Sequence, residues 1–179
     1  MKFEYFFAKL IGKFLGNQYK YVNKYFKKSG VIFSGGGGTA PIICCDITEN
    51  EPYLITIGDD TVISGNVKFI THDHSVSRIN RQYNDVFGEI KIGRNCFIGQ
   101  NAILLYGVTI CDNVIVAAGA VVTKSINEPF TIYGGNPAKK ISEFGSCEEK
   151  IKNFAWSDKI CSRKELERKQ KNGEFLMRK

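Results

Sequence analysis

Residues 92–122 read IGRNCFIGQNAILLYGVTICDNVIVAAGAVV, and within them an aliphatic residue returns at every sixth position: Ile92, Ile98, Leu104, Ile110, Val116 and Val122. The same beat runs earlier through Ile57, Ile63 and Phe69, and a small residue often follows it, as at Gly58, Ser64, Gly93, Gly99 and Ala117. A helix repeats every 3.6 residues and a strand every two, so neither alone selects one residue in six. A coil of short strands does. In a β-helix one hexapeptide makes one flat face and one corner, the aliphatic residue points into the prism, and the small residue is expected to let the chain turn. A second inward position returns four residues after the first, at Thr61, Val67, Cys96, Ala102, Val108, Val114 and Ala120. It holds the smaller side chains that a narrow interior requires. Each fully buried Ile or Val contributes about 1.5–3 kcal/mol, and stacking places like residues over one another.

The rest of the chain is organised around this repeat. At 179 residues it has the length of about one domain, divided into an N-terminal helical segment (1–30), a β-helix (31–141) and a helical tail (142–179). Over residues 1–28, Phe3, Phe7, Leu10 and Phe14 fall on one helical face with Lys2, Lys9 and Lys13 elsewhere. Such a helix suits the open end of a β-helix, where unpaired strand edges need a cover. The alternative is an amphipathic helix lying on a membrane surface. The glycine-rich stretch 34–39 lacks the spacing and the lysine of a P-loop and reads as a flexible entry or an irregular first coil. One coil is complete from 54 to 74. The beat resumes at Ile92, and 92 − 57 = 35, one 18-residue coil plus 17 residues. Those extra residues, 75–91, are polar and are expected to leave one corner as an excursion loop, commonly the binding side of a solenoid. After Pro129 the repeat decays, and 148–171 reads as a charged helix.

Lys and Arg exceed Asp and Glu by 25 − 18 = 7, which points toward anionic partners such as phosphates, acidic sugars or a membrane surface. Twelve basic and seven acidic residues lie between 139 and 179, so much of the excess is a solvated tail. No nucleic-acid motif accompanies it. The six cysteines form no C-x-x-C pair and no secretory signal precedes them, so reduced thiols in a cytoplasmic protein are expected. No stretch has the length and apolarity of a transmembrane span.

The only two histidines, His72 and His74, lie where the repeat gives way to the excursion loop. A histidine opening a protruding loop is partly exposed, and an ordinary pKa near 6.5 suits proton transfer at neutral pH. Two histidines with Asp73 fall short of a zinc site, and no metal is expected.

Residues 92–141, with the opening Ile-Gly-Arg-Asn-Cys-Phe-Ile-Gly, the run Gly-Val-Thr-Ile-Cys-Asp-Asn-Val-Ile-Val-Ala-Ala-Gly-Ala-Val-Val-Thr-Lys and the ending Gly-Gly-Asn-Pro-Ala-Lys, strongly resemble the hexapeptide-repeat acyltransferases. Within that family the resemblance is to the maltose and galactoside O-acetyltransferases and to those of surface-polysaccharide clusters, and it spans about 54–141. It implies a left-handed parallel β-helix, a homotrimer, and acetyl-CoA bound between neighbouring subunits. It places the catalytic histidine at His74, as general base toward an acceptor hydroxyl, with no covalent enzyme intermediate and a backbone N–H for the oxyanion. His72 is the second choice, and Asp73 is a candidate to orient either ring. For the cofactor the matching positions are Phe97, where the family often has Trp, Gly99, Gln100, Ala118, Thr123, Lys124 and Lys139. A groove of small residues suits an extended pantetheine arm, and lysines suit its phosphates.

The expected function is therefore acetyl-CoA-dependent O-acetylation of a sugar hydroxyl in cell-surface polysaccharide synthesis, with the loop shaping the acceptor site through His72, Arg78, Arg81 and Tyr83. Two alternatives remain at this point: N-acetylation of a nucleotide-linked amino sugar, and a non-catalytic β-helical scaffold or sugar-binding module.

Overall fold

The structure, a computed structural model, describes residues 3–35, 37–152 and 163–173. Its residues fall into two compact units, Met1–Ile141 and Ser142–Lys179.

In the first unit the six-residue beat becomes three sheets. The first face stacks Ile32–Ser34, Ile55–Gly58, Ile90–Ile92 and Thr109–Ile110. The second stacks Ile42–Ile43, Val62–Ile63, Phe97–Ile98, Val114–Val116 and Thr131–Gly134, with Lys139–Glu143 as a sixth strand beside the last. The third stacks Lys68–Ile70, Ile103–Leu105 and Val121–Val122. Pairing along the first and third faces, and along the second up to Thr131–Gly134, is parallel. Its register puts Ile57 beside Ile92, Ile63 beside Ile98, and Phe69 beside Leu104. The chain thus winds as a three-sided parallel β-helix. All nine beat residues and all seven second-position residues are buried. Thr61 is tolerated inside because its hydroxyl donates to the Gly93 carbonyl at 2.8 Å and accepts from the Cys96 N–H at 3.0 Å.

The corners differ from the sequence expectation. The small residue after each beat does not make the turn; it lets successive coils approach. A Cβ on Gly99 would lie 2.4 Å from the Ala118 nitrogen, and one on Gly58 would lie 2.6 Å from the Gly93 carbonyl carbon. The turn belongs to the residue three after the beat. Asp60, Asn66, Asn95, Asn101 and Asn113 all have φ between 52° and 61°, and Gly107 and Gly119 complete the series. This left-handed region is one that Asn, Asp and Gly enter at little cost. The asparagines also bond along the edge, Asn95 Nδ2 donating to Asn113 Oδ1 at 2.7 Å.

Two boundaries move, and the first coil is irregular. The glycine-rich stretch leads through an irregular first coil, with Ile43 and Ile47 buried beneath the next turn. The repeat continues past Pro129: Thr131–Gly134 pairs with Val114–Val116 after a slip absorbed at Phe130, φ 59°. The excursion is shorter than 75–91, because Ile90 and Lys91 already pair with Ile55 and Thr56.

The N-terminal segment is two helices, α1 (Phe3–Phe14) and α2 (Gln18–Lys28), not one. Asn17 caps α2 through its side chain, which accepts from the Lys20 N–H. Val22, Tyr25 and Phe26 of α2 are buried with Tyr5 of α1. Tyr25 bonds the Thr48 hydroxyl at 2.9 Å, and Asn23 Nδ2 donates to the Pro41 carbonyl at 2.8 Å. The helices thus pack on the first coil, but with the opposite side of α1 from the one expected: Phe3, Phe7, Leu10 and Phe14 are all exposed. Gly12 decides this, since a Cβ there would sit 2.5 Å from Gln18 Cα.

In the second unit the helices are Phe144–Ile151 and Arg163–Lys171. The single helix expected over 148–171 is thus replaced at its ends, and its middle lies outside the described residues. Among the described residues no helix is long and apolar enough to cross a membrane.

Candidate active site

The excursion begins at the edge between the third and first faces. Strand Lys68–Ile70 ends at buried Thr71, and His72–Asp73 then pairs antiparallel with Val86–Phe87, closing the loop at its base. Gly88 N–H donates to the Thr71 carbonyl and Gly107 N–H to the Glu89 carbonyl, both at 3.0 Å. A Cβ on Gly88 would lie 2.5 Å from the Gly107 nitrogen, so the loop leaves the prism with no space beneath it. Inside the loop, Asp73 accepts from the Ser75 N–H at 2.8 Å, and a short helix, Val76–Ile79, follows.

The two histidines have separate carboxylate partners, and Asp73 is neither. His74 Nδ1 lies 3.2 Å from Asp85 Oδ1, with the imidazole two-thirds exposed. A ring held at Nδ1 by a carboxylate keeps Nε2 available as a proton acceptor. His72 Nδ1 lies 2.9 Å from Glu51 Oε2, and its ring packs 5.6 Å from that of Phe87. The Glu51 contact raises the pKa of His72. Glu51 itself is lowered, first by the Thr71 hydroxyl and then by His72. Asp73 bonds the Ser75 N–H and accepts weakly from the Tyr106 hydroxyl at 3.4 Å. The expectation that it orients an imidazole is thus corrected: Asp85 and Glu51 reach the rings from 11 and 21 residues away. Sequence spacing carried no sign of either.

Beside His74 the loop encloses an open cleft of about 640 Å³ lined by Val76, Gln82, Tyr83, Asp85, Val86 and Phe87 among others. Of the acceptor candidates, Tyr83 lines this cleft, while Arg78 and Arg81 are exposed and outside its lining. His72 meets it through Phe87.

The cofactor candidates divide between two edges of the prism. Phe97 is exposed on the outside of the second face. Gly99, Gln100 and Ala118 follow at the edge between the second and third faces, where Asn101 donates to the Gly65 carbonyl, Gly119 to Gln100 and Val121 to Gly135, stacking the coils. Thr123 and Lys124 lie beyond strand Val121–Val122, at the opposite edge of the third face. The loop of His74 leaves that same edge two coils earlier, since Phe69 pairs with Leu104 and Leu104 with Val122. Lys139 opens the final strand of the second face and is exposed. Among the described residues no group of three His, Cys, Asp or Glu side chains is arranged to hold a metal ion.

A three-sided parallel coil with a histidine–carboxylate loop at one corner defines a hexapeptide-repeat protein with a candidate proton-transfer site. A family model described as the hexapeptide repeat of succinyl-transferase matches residues 89–124. Protein CapG of Staphylococcus aureus is 50% identical over 104 residues, covering 57% of this chain and 60% of its own length. The galactoside O-acetyltransferase of Escherichia coli K12 is 32% identical over 114 residues, covering 63% of this chain and 54% of its own. The chain thus spans little more than half the length of these relatives. A solved galactoside acetyltransferase in complex with coenzyme A shares the fold at a TM-score of 0.56 and 23% identity, over 90% of this chain and 92% of that one. Over its β-helix the chain is thus similar to hexapeptide-repeat acetyltransferases.

Proposed function

We propose that the protein transfers an acetyl group from acetyl-CoA to a sugar hydroxyl, in the synthesis of a cell-surface polysaccharide, with His74 as general base. The observation that carries this reading is the 3.2 Å contact of His74 Nδ1 with Asp85 at the rim of the loop cleft. In the reaction, Nε2 of His74 takes the acceptor hydroxyl proton as that oxygen bonds to the thioester carbonyl carbon. The carbon–sulfur bond then breaks, and the departing thiolate receives the proton from the imidazolium. A backbone N–H meets the developing oxyanion. The aromatic side chains of Tyr83 and Phe87 suit the apolar face of a sugar ring.

Acetyl-CoA as donor is supported by the similarity to acetyltransferases and by the coenzyme A complex of a protein of the same fold. The pantetheine arm runs past Phe97, Gly99, Gln100 and Ala118, and Thr123, Lys124 and Lys139 receive the rest of the cofactor. One chain holds His74 and Ala118 on different edges of the prism, so a site using both needs a neighbouring copy laid against it. This favours a homotrimer of left-handed β-helices with shared sites.

Incubating the protein with acetyl-CoA and a panel of hydroxy and amino sugars, and measuring thiol release and acetylated product by mass spectrometry, tests the reading. O-acetylated sugar is expected. Product only from amino sugars would replace O- by N-acetylation, and no transfer to any sugar would leave a binding module.

A further inference from the structure

Residues 3–28 expose more large apolar side chains than they bury. Phe3, Phe6, Phe7, Leu10, Phe14 and Leu15 all face outward, Phe14 with 90% and Phe3 with 75% of its surface accessible, whereas the buried positions of α1 are Tyr5 and Gly12. Soluble surfaces rarely carry so many large apolar side chains together without a partner. Within residues 3–28 the charge is one-sided: Lys9, Lys13, Lys20, Lys24, Lys27 and Lys28 against the single acid Glu4. Lys9 and Lys13 stand directly beside Phe6 and Leu10, around a shallow concavity that they line with Gln18.

We propose that this surface docks the protein on an anionic lipid bilayer, with α1 lying in the interface and its phenylalanines reaching the acyl boundary. At 12 residues α1 extends about 18 Å, too short to span a bilayer but long enough to lie along one. Aromatic side chains favour the headgroup region, and lysines at a rim gain from anionic headgroups. A second copy of this chain is the poorer occupant, because two such faces would bring lysines against lysines. The docking does not depend on the acyl-transfer site, which lies on the excursion loop.

The test is sedimentation with vesicles. The protein is expected to pellet with vesicles of equal parts phosphatidylglycerol and phosphatidylcholine, weakly with phosphatidylcholine alone, and less as salt rises. Phe7→Ser/Leu10→Ser/Phe14→Ser changes three exposed residues and should lower vesicle affinity about a hundredfold or more while leaving the melting temperature unchanged. Lys13→Glu should lower it at least about fivefold. The proposal is overturned if the wild-type protein stays in the supernatant with anionic vesicles, or if both variants bind like wild type. It is also overturned if the triple variant alters the sedimenting mass in the absence of lipid, which would make the surface a contact between copies.

Discussion

Gly99→Ala separates the two roles open to Gly99, a stacking contact and a cofactor contact. The added Cβ would lie 2.4 Å from the Ala118 nitrogen and 2.7 Å from the Ala117 carbonyl carbon, about 1 Å inside ordinary van der Waals contact. Both neighbours are backbone, so relief requires one coil to move away from the next. The bonds beside the contact, Gly99 N–H to the Val116 carbonyl at 2.8 Å and Gly119 N–H to the Gln100 carbonyl at 2.9 Å, would then stretch past hydrogen-bonding range. Two lost bonds cost about 1–3 kcal/mol, and overpacking strain of about 1–3 kcal/mol adds to that. At about 2–4 °C per kcal/mol for a chain of this size, even 3 kcal/mol lowers the melting temperature by about 6–12 °C. Gly65→Ala is the control on the same edge: nothing lies within 4 Å of its Cβ and its φ is ordinary. It should be neutral or stabilising by up to about 1 kcal/mol. Thermal unfolding followed by circular dichroism reads both. Equal melting temperatures for Gly99→Ala and wild type would refute the stacking argument.

The remaining predictions concern charge and thiols. In an NMR titration His72 should show a pKa above its ordinary 6.5, and Glu51→Gln should return it toward that value. Stabilisation from the His72–Glu51 contact is therefore complete below about pH 6.5 and is lost as pH rises through the raised value of His72. On the acid side Glu51's share is present above its ordinary 4.5 and is lost as pH falls through its lowered value. A titration of His72 at or below 6.5 would remove the contact. Burial pushes the thiols of Cys45 and Cys96 up to about 11, while Cys44 is exposed. A thiol reagent at pH 8 should label Cys44 before Cys45 and Cys96 only on unfolding, and prompt labelling of Cys96 in peptide maps would contradict the core. Lys124→Glu or Lys139→Glu should raise the KM for acetyl-CoA and make it less salt-sensitive with little change in kcat. An unaltered KM in both would move the phosphates elsewhere.

The β-helix was legible because its interior admits one large side chain per hexapeptide, and the nine beat residues are that interior. The left-handed corners were equally open to reading, with Asn or Gly every six residues from Asn95 to Gly119, but attention to the glycines after each beat assigned the turn to the wrong position. Those glycines answer a contact between coils that no single coil reveals. The N-terminal helices misled for a related reason: a hydropathy stripe selects the largest apolar residues, Phe3, Phe7, Leu10 and Phe14, whereas close packing selected Gly12 and left that stripe outside. At the candidate site the position of His74 beside the loop was readable from the break in the repeat. Its partner Asp85 was not, because the antiparallel pairing of His72–Asp73 with Val86–Phe87 brings the two ends of the excursion together only in three dimensions.

The most direct measurement is turnover of acetyl-CoA with a sugar that the wild-type protein acetylates, compared across His74→Ala, His72→Ala and Asp85→Asn. Loss of a general base costs about 10²–10⁴-fold, so His74→Ala should fall by that factor with its melting temperature intact. Asp85→Asn should lose less, because it disturbs only the orientation of the imidazole, and His72→Ala should lose least. Wild-type turnover in His74→Ala together with a dead His72→Ala would contradict the assignment and move the base to the imidazole held by Glu51.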